Sequence, residues 1–171
     1  MKRLIILSAL ILTVTSCQEQ AKIGFVDNGK VINDYQAKID IEEKYKVKEE
    51  AYKRKTDSVG QAYNLDLQAM QVKLKNASAR KQQEESQQFS QKWQIVQQQL
   101  QFEQQQMQQA FNVEIDSAII KMNDFVKDYG KKNGFTYILG SNQAGSVLYG
   151  DDTNDLTQVI TDALNEAYKK E

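Results

Sequence analysis

The sequence predicts an α+β protein, mostly α, in which a small β-sheet body carries a long antiparallel coiled-coil helical hairpin. Residues 31–129 contain no proline and a single glycine, Gly60, and place apolar side chains at helical spacing. Short segments rich in β-branched and aromatic residues flank this stretch, at 22–26 before it and at 135–139 and 146–149 after it. Because the central stretch is too long for one globular helix, we expect it to fold back on itself.

Residues 1–16 have the pattern of an export signal. A basic Lys-Arg pair at 2–3 is followed by an apolar run at 4–12 that is too short to span a bilayer as a permanent helix. The residues before Cys17 resemble a bacterial lipobox, which predicts lipid attachment to Cys17. An ordinary signal cleaved just before Cys17, which would leave a free thiol, is the alternative.

The single cysteine favours the lipidated interpretation, because a lone thiol in an oxidising compartment has no intramolecular partner. Two or more acyl chains on Cys17 would hold the protein stably on a membrane surface through a tether at 17–21. In lipoproteins resembling enterobacterial ones, a residue other than aspartate in the place of Gln18 points to the outer membrane. We expect a lipid-anchored protein of the cell envelope that faces the periplasm, with the outer membrane favoured.

The β-body is predicted from residues 22–30 together with 131–171. Its strand segments contribute apolar residues that we expect to form the oligomer body, namely Ile23, Phe25, Val26, Tyr137, Ile138, Leu139, Val147, Leu148 and Tyr149. Residues 140–145 suit the turn of a hairpin between the last two strands. A last helix is expected near Asp155, with Asp155 as its N-cap and Gln158 completing a capping box. So small a sheet with open edges predicts an obligate oligomer.

The two arms occupy residues 31–130, with the tip near 76–78. Apolar residues recur mostly at steps of three, four and seven along each arm, which places them on one face of each helix. We expect these faces to meet in a coiled-coil seam formed by Tyr52, Val59, Tyr63, Met70, Leu74, Phe89, Trp93, Val96, Leu100 and Met107.

Two residues near the seam carry more specific predictions. Ser78 is a candidate N-cap of the returning helix, because its hydroxyl can accept an orphan backbone N–H. A turn centred on Ala77 would place Gly60 nearly opposite Trp93, where the glycine could make room for the indole. The alternative for Gly60 is a hinge or bend without a specific partner.

A second apolar set lies on the faces that the seam cannot cover, as judged at 100° per residue. Three of these residues lie near the base and are predicted to pack against other subunits: Val47, Val113 and Ile120. Four lie farther out and are candidate contacts for apolar partners: Leu65, Val72, Ile95 and Phe102. Scattered surface hydrophobic residues without a function are the alternative interpretation.

The charge of the chain gives no case for nucleic acid as a partner. Of 22 basic side chains, Lys2 and Arg3 belong to the signal, so 20 remain against 23 acidic ones and the mature formal charge is −3. The basic residues of 44–55 alternate with glutamates, which is typical of a solvated helix face. Glutamine dominates residues 82–109, and we interpret this tract as a neutral, polar helix surface.

We expect neither an enzymatic activity nor a bound cofactor from the sequence. The chain has no histidine, its one cysteine is assigned to lipid, and it lacks a phosphate-binding glycine loop. Asp151, Asp152 and Asp155 do not have the spacing or the glycine of an EF-hand calcium loop. Turn and cap chemistry explains these three carboxylates better.

Motifs at both ends of the mature chain form a recognisable set. They are Lys-Ile-Gly-Phe-Val-Asp at 22–27 with Lys-Val-Ile at 30–32, Lys-Lys-Asn-Gly-Phe-Thr-Tyr-Ile-Leu at 131–139, and Val-Leu-Tyr at 147–149 with Asp-Leu-Thr-Gln-Val-Ile at 155–160. Together they resemble the Skp/OmpH family of periplasmic chaperones over residues 22–168. The arms match that family in length and character only.

The resemblance implies a homotrimer in which three bodies form an intersubunit β-barrel and three hairpins surround a cavity. It also implies an ATP-independent holdase for unfolded outer-membrane β-barrel proteins, with Leu65, Val72, Ile95 and Phe102 as candidate client contacts. The best-known members are soluble and strongly basic, so no lipopolysaccharide site is carried over to this slightly acidic chain. The alternative function is a structural envelope lipoprotein, a coiled-coil spacer or tether without clients.

Overall fold

The computed structural model describes residues 21–142 and 146–170. Its elements are β1 (Ile23–Asp27), α1 (Asn28–Asn33), α2 (Gln36–Leu74), α3 (Ala79–Lys132), β2 (Tyr137–Ser141), a 3₁₀ turn (Asp152–Asn154) and α4 (Thr157–Tyr168). The predicted fold class, a long helical hairpin on a small sheet, is confirmed. The predicted signal peptide and the lipid attachment at Cys17 lie outside the described residues.

Helices α2 and α3 are the two arms of the hairpin. They contain 39 and 54 residues, and are therefore about 58 Å and about 81 Å long. The two helices run antiparallel, because Tyr45 packs on Phe111 near the base while Tyr63 packs on Trp93 farther out. The longer α3 continues past the start of α2 into the body.

The turn between the arms is closed by a side chain that the sequence did not single out. Ser78 does occupy the N-cap position of α3, but its side chain makes no capping hydrogen bond. Instead, Gln82 Nε2 donates to the carbonyl oxygens of Leu74, at 3.2 Å, and Ala77, at 3.0 Å. Gln82 thus ties the start of α3 to the end of α2 and to the turn, and it is a second donor to the Leu74 carbonyl oxygen, which also accepts the Ala77 backbone N–H at 3.0 Å.

The prediction that Gly60 makes room for Trp93 is wrong. A Cβ added at Gly60 would have no atom within 4 Å, and the ring of Tyr63 lies 5.1 Å from that of Trp93. A symmetric turn at Ala77 would place Lys73 opposite Lys81. Lys73 pairs instead with Glu85, four residues farther along α3, so the arms are offset from that register by about one helical turn.

Strands β1 and β2 pair in parallel, with Ile23 opposite Tyr137 and Asp27 opposite Ser141. Parallel strands need a long crossover connection, and here the entire helical hairpin is that connection. One face of the sheet lies on the helices, and the core beneath it reaches into the base of both arms. The buried core residues are Val26, Val31, Tyr35, Ala37, Ala118, Met122, Ile160 and Leu164.

The predicted strand at 146–149 is absent from the described residues, as is its hairpin with β2. Gly140 and Ser141 belong to β2 itself, and residues 143–145 lie outside the described part. The returning chain runs to β1 instead: Gly150 sits so close to the ring of Phe25 that an added Cβ would lie 2.3 Å from it. Leu156 N–H then donates to the Phe25 carbonyl oxygen at 2.8 Å.

Helix α4 begins at Thr157, one residue later than the predicted N-cap at Asp155 would place it. Asp155 still satisfies a backbone donor at the start of α4, because its carboxylate accepts the Thr157 backbone N–H at 2.8 Å. The predicted capping box is wrong, since Leu156 occupies the N-cap position and the Gln158 amide donates to Asp162.

Candidate functional site

The seam between the arms brings the predicted seam residues together. Leu74 and Trp93 are buried, and Tyr63 remains partly exposed at the edge of the seam. The others are half-buried: Tyr52, Val59, Met70, Phe89, Val96, Leu100 and Met107. Tyr52 also donates its hydroxyl to the Leu100 carbonyl oxygen at 3.0 Å. The seam thus joins two long helices with limited burial, as expected for a two-helix contact.

An aromatic cluster of Tyr63, Phe89 and Trp93 forms the best-packed part of the outer seam. The Tyr63 ring centroid lies 5.1 Å from that of Trp93 and 5.3 Å from that of Phe89. The indole Nε1 of Trp93 is buried and has no hydrogen-bond partner among the described residues. Trp93 is the only tryptophan in the chain, so its fluorescence reports on this cluster alone.

Near the base, Glu114 links the arms through two donors that the sequence analysis did not pair with it. Lys44 Nζ lies 2.7 Å from Glu114 Oε1, and the Tyr45 hydroxyl donates to the same oxygen at 2.9 Å. The hydrogen bond from Lys44, followed by that from Tyr45, lowers the pKa of Glu114. Such a cross-arm contact depends on the register of the arms, which the apolar pattern alone does not fix.

Three further ion pairs cross the seam: Lys55 with Glu103, Lys92 with Asp66, and Lys73 with Glu85. All three pairs are partly exposed to solvent, so each adds little to stability. The hydrogen bond from Lys73 is the main cause that lowers the pKa of Glu85. The ion pairs recur at the same intervals along both helices. The aromatic contacts fit the same alignment of the two arms.

All seven apolar residues predicted outside the seam are exposed. In α2 these side chains are 63–77% exposed and in α3 56–67%. The arms therefore present large apolar side chains to solvent along much of their length, on a background of polar residues. The seven are Val47, Leu65 and Val72 in α2, and Ile95, Phe102, Val113 and Ile120 in α3.

The residues predicted for the oligomer body separate into two groups. Val26 is buried in the chain's own core, and Ile138 packs against that core with its Cδ1 3.2 Å from a Cβ added at Gly130. Phe25 and Val147 are half-buried. The remaining members are exposed, with Leu148 at 93% and Tyr149 at 88%, together with Ile23, Tyr137 and Leu139.

The outer side of the sheet is open in the described part of the chain. Ile23, Tyr137 and Leu139 point away from the helical layer that buries Val26, and they leave an apolar sheet face uncovered. Strand β2 pairs with β1 and with no other described strand, so its second edge keeps unpaired backbone groups.

Two of the three carboxylates after residue 150 accept backbone N–H groups two residues farther along the chain, namely Asp151 and Asp155. Asp151 accepts hydrogen bonds from the Thr153 hydroxyl and backbone N–H, which lower the pKa of Asp151. Among residues 21–142 and 146–170 no group of three or more metal-ligating side chains comes together. Within the same residues, no helix combines the length and apolar character that a membrane span requires.

Comparison with known proteins agrees with this geometry. Residues 22–164 match the family model described as "Outer membrane protein (OmpH-like)", and a search of curated proteins found no match. The matched segment includes β1, both arms, β2 and most of α4, and the predicted resemblance to the Skp/OmpH family is confirmed. The chain therefore belongs to the OmpH-like family of outer membrane proteins, a family whose role is that of a periplasmic chaperone for outer-membrane proteins.

Proposed function

We propose that this protein is an ATP-independent periplasmic holdase that binds unfolded outer-membrane β-barrel proteins in a cavity between the arms of a homotrimer. One observation supports this most strongly. Four large apolar side chains of the outer arms stay 56–77% exposed on the two helices of the hairpin, namely Leu65, Val72, Ile95 and Phe102.

Sparse apolar contacts suit a holdase better than a deep pocket does. A chain that must later be released has to be held weakly at each point, and many such points together supply avidity. Binding alone, with no chemical reaction, then keeps the unfolded chain from aggregating. The arms offer such points along two helices of about 58 Å and about 81 Å.

The uncovered side of the β-body is the reason for proposing a homotrimer. The apolar face of Ile23, Tyr137 and Leu139 and the free edge of β2 would both be satisfied by neighbouring copies. The exposed Leu148 and Tyr149 extend this surface. We also propose that Val47, Val113 and Ile120 pack between subunits near the base of the arms, and that Cys17 anchors each chain to a membrane.

The test replaces the four outer residues by serine in one variant, L65S/V72S/I95S/F102S. We expect its affinity for a urea-unfolded outer-membrane β-barrel protein to fall roughly tenfold or more, because several weak contacts are lost at once. Its oligomer mass should equal that of the wild type. If the oligomer dissociates, the four residues belong to the interface. If client binding is unchanged, other residues hold the client and the assignment of these four is wrong. If the wild-type protein binds no client, the structural spacer becomes the better account.

A further inference from the structure

The charge of the hairpin changes abruptly along its length. In α2, residues 58–72 contain one charged side chain, Asp66, and the facing residues 86–102 of α3 also contain one, Lys92. These two form an ion pair with each other. We call residues 58–72 and 86–102 the neutral belt, because no uncompensated charge lies within it.

In α2, charged segments bound the neutral belt on both sides. Towards the base, residues 42–57 of α2 carry eleven charged side chains out of sixteen, whereas residues 103–117 of α3 carry three out of fifteen. Towards the tip, residues 73–85 carry six out of thirteen. In α2 the belt therefore lies between two charged segments, whereas in α3 its base side is followed by Glu103 and then by ten uncharged residues, 104–113.

The surface of the neutral belt is made of glutamine and isolated apolar side chains. On the outward face of α3, the exposed glutamines Gln88, Gln91, Gln98 and Gln99 surround Ile95 and precede Phe102. On the outward face of α2, Ser58, Gln61 and Gln68 accompany Leu65 and Val72. Glutamine amides both donate and accept hydrogen bonds, as an unpaired polypeptide backbone requires.

These exposed apolar side chains are too few for a second copy of the chain to bind the belt stably. Each outward face of the belt offers two such side chains, Leu65 and Val72 on α2 or Ile95 and Phe102 on α3, all 56–77% exposed. Two side chains supply roughly 250 Å² of apolar surface, below the roughly 450 Å² of apolar area within the ~800 Å² that each partner buries in a stable complex. Their spacing of seven residues also omits the intermediate positions that a coiled-coil seam fills. The occupant must therefore be one that binds weakly and adapts its shape.

We infer that the neutral belt is the surface that receives uncharged, extended segments of the client, and that it does so without electrostatic attraction. This inference rests on the proposed holdase function and specifies where and by what chemistry the client is held. Membrane-spanning strands of a β-barrel have the matching composition, with uncharged apolar residues facing lipid over a band of about 25 Å. The belt is of similar length, since 15 to 17 helical residues rise about 22–25 Å.

The experiment adds charges of either sign at two exposed positions of the neutral belt, one in each arm. The variants are Q61K/Q98K and Q61E/Q98E, and the probe is a urea-unfolded outer-membrane β-barrel protein diluted into the full chain. Matched controls place the same charges at exposed glutamines on either side of the belt, as Q83K/Q109K and Q83E/Q109E. Circular dichroism and Trp93 fluorescence check that every variant keeps its helices and its seam.

We expect both belt variants to raise the Kd roughly fivefold, whichever sign is added, because the client must strip water from the new charges. Both controls should stay within roughly twofold of the wild type. The wild-type Kd should also change by less than roughly twofold between about 50 and about 500 mM NaCl.

Two kinds of result overturn this inference, and they are distinguishable. If lysine and glutamate shift the Kd in opposite directions, or if the Kd rises steeply with salt, electrostatic capture is the better account. If the controls lose as much as the belt variants, client binding is not confined to the belt. In each of these cases the holdase function still stands. If the wild-type protein leaves the client to precipitate, the proposed function fails, and the belt assignment fails with it.

Discussion

Trp93 lies where rings from both arms meet, and Gly60 lies one turn of α2 away from the ring that Trp93 contacts. The indole packs against Tyr63 and Phe89, while Gly60 faces open space. The glycine therefore adds helix flexibility without relieving any steric contact. Helix flexibility at Gly60 and the packing of the Trp93 indole are therefore unrelated, although the sequence suggested that the glycine made room for the indole.

The first prediction concerns Gly60→Ala, which we expect to raise the free energy of unfolding by about 0.5–1 kcal/mol, because alanine has the higher helix propensity and meets no neighbour. Urea unfolding followed by circular dichroism measures it. Gly130→Ala is the matched control: it gains the same propensity, but its Cβ would lie 3.2 Å from Ile138 Cδ1, so it should stabilise less. A loss of stability in Gly60→Ala would show that a bend at this position is required.

At the scale of elements, the break between α1 and α2 is held by a residue from the other end of the chain. Asn165 in α4 accepts the Gln36 backbone N–H at 2.8 Å and donates to the Asp34 carbonyl oxygen at 2.9 Å. The Tyr168 hydroxyl donates to Asp40 in the first turns of α2. Helix α4 thereby fixes where the first arm leaves the body.

The second prediction is that Asn165→Ala destabilises the protein by about 1–2 kcal/mol, because the start of α2 loses its remote cap. Asn165→Asp keeps the acceptor for the Gln36 N–H but sets a second acceptor against the Asp34 carbonyl oxygen, so it should recover only part of the loss. Thermal and urea unfolding of both variants provide the comparison. Equal losses in the two variants would mean that packing, not capping, accounts for the effect.

The elements that could be predicted from the sequence are those with a long periodic pattern. The arms follow from uninterrupted helical spacing across 31–129, and β1 follows from a local run of β-formers. The register of the arms, the missing strand at 146–149 and the cap by Asn165 could not be predicted, because each depends on which distant segment a residue meets. The exposed positions Leu65, Val72, Ile95 and Phe102 could be placed, since helical phase is enough to exclude a side chain from the seam.

At the scale of the whole molecule, the body and the arms present two different kinds of exposed surface. The described chain leaves an apolar sheet face and a free strand edge at one end, and a hairpin with exposed apolar residues and a neutral belt at the other. The first surface suits permanent association with copies of the same chain, whereas the second suits weak and reversible contacts. The proposed homotrimer, with clients held between its arms, would use both surfaces at once.

The most direct test of this account is the mass of the mature chain by light scattering. The protein carries Cys17→Ser to prevent lipidation, and it is measured alone and after rapid dilution of a urea-unfolded outer-membrane β-barrel protein. We predict a trimer whose mass rises by that of one client, with the client kept in solution. A stable trimer that leaves the client to precipitate would contradict the holdase function and favour an envelope spacer, and a monomer would contradict the proposed assembly.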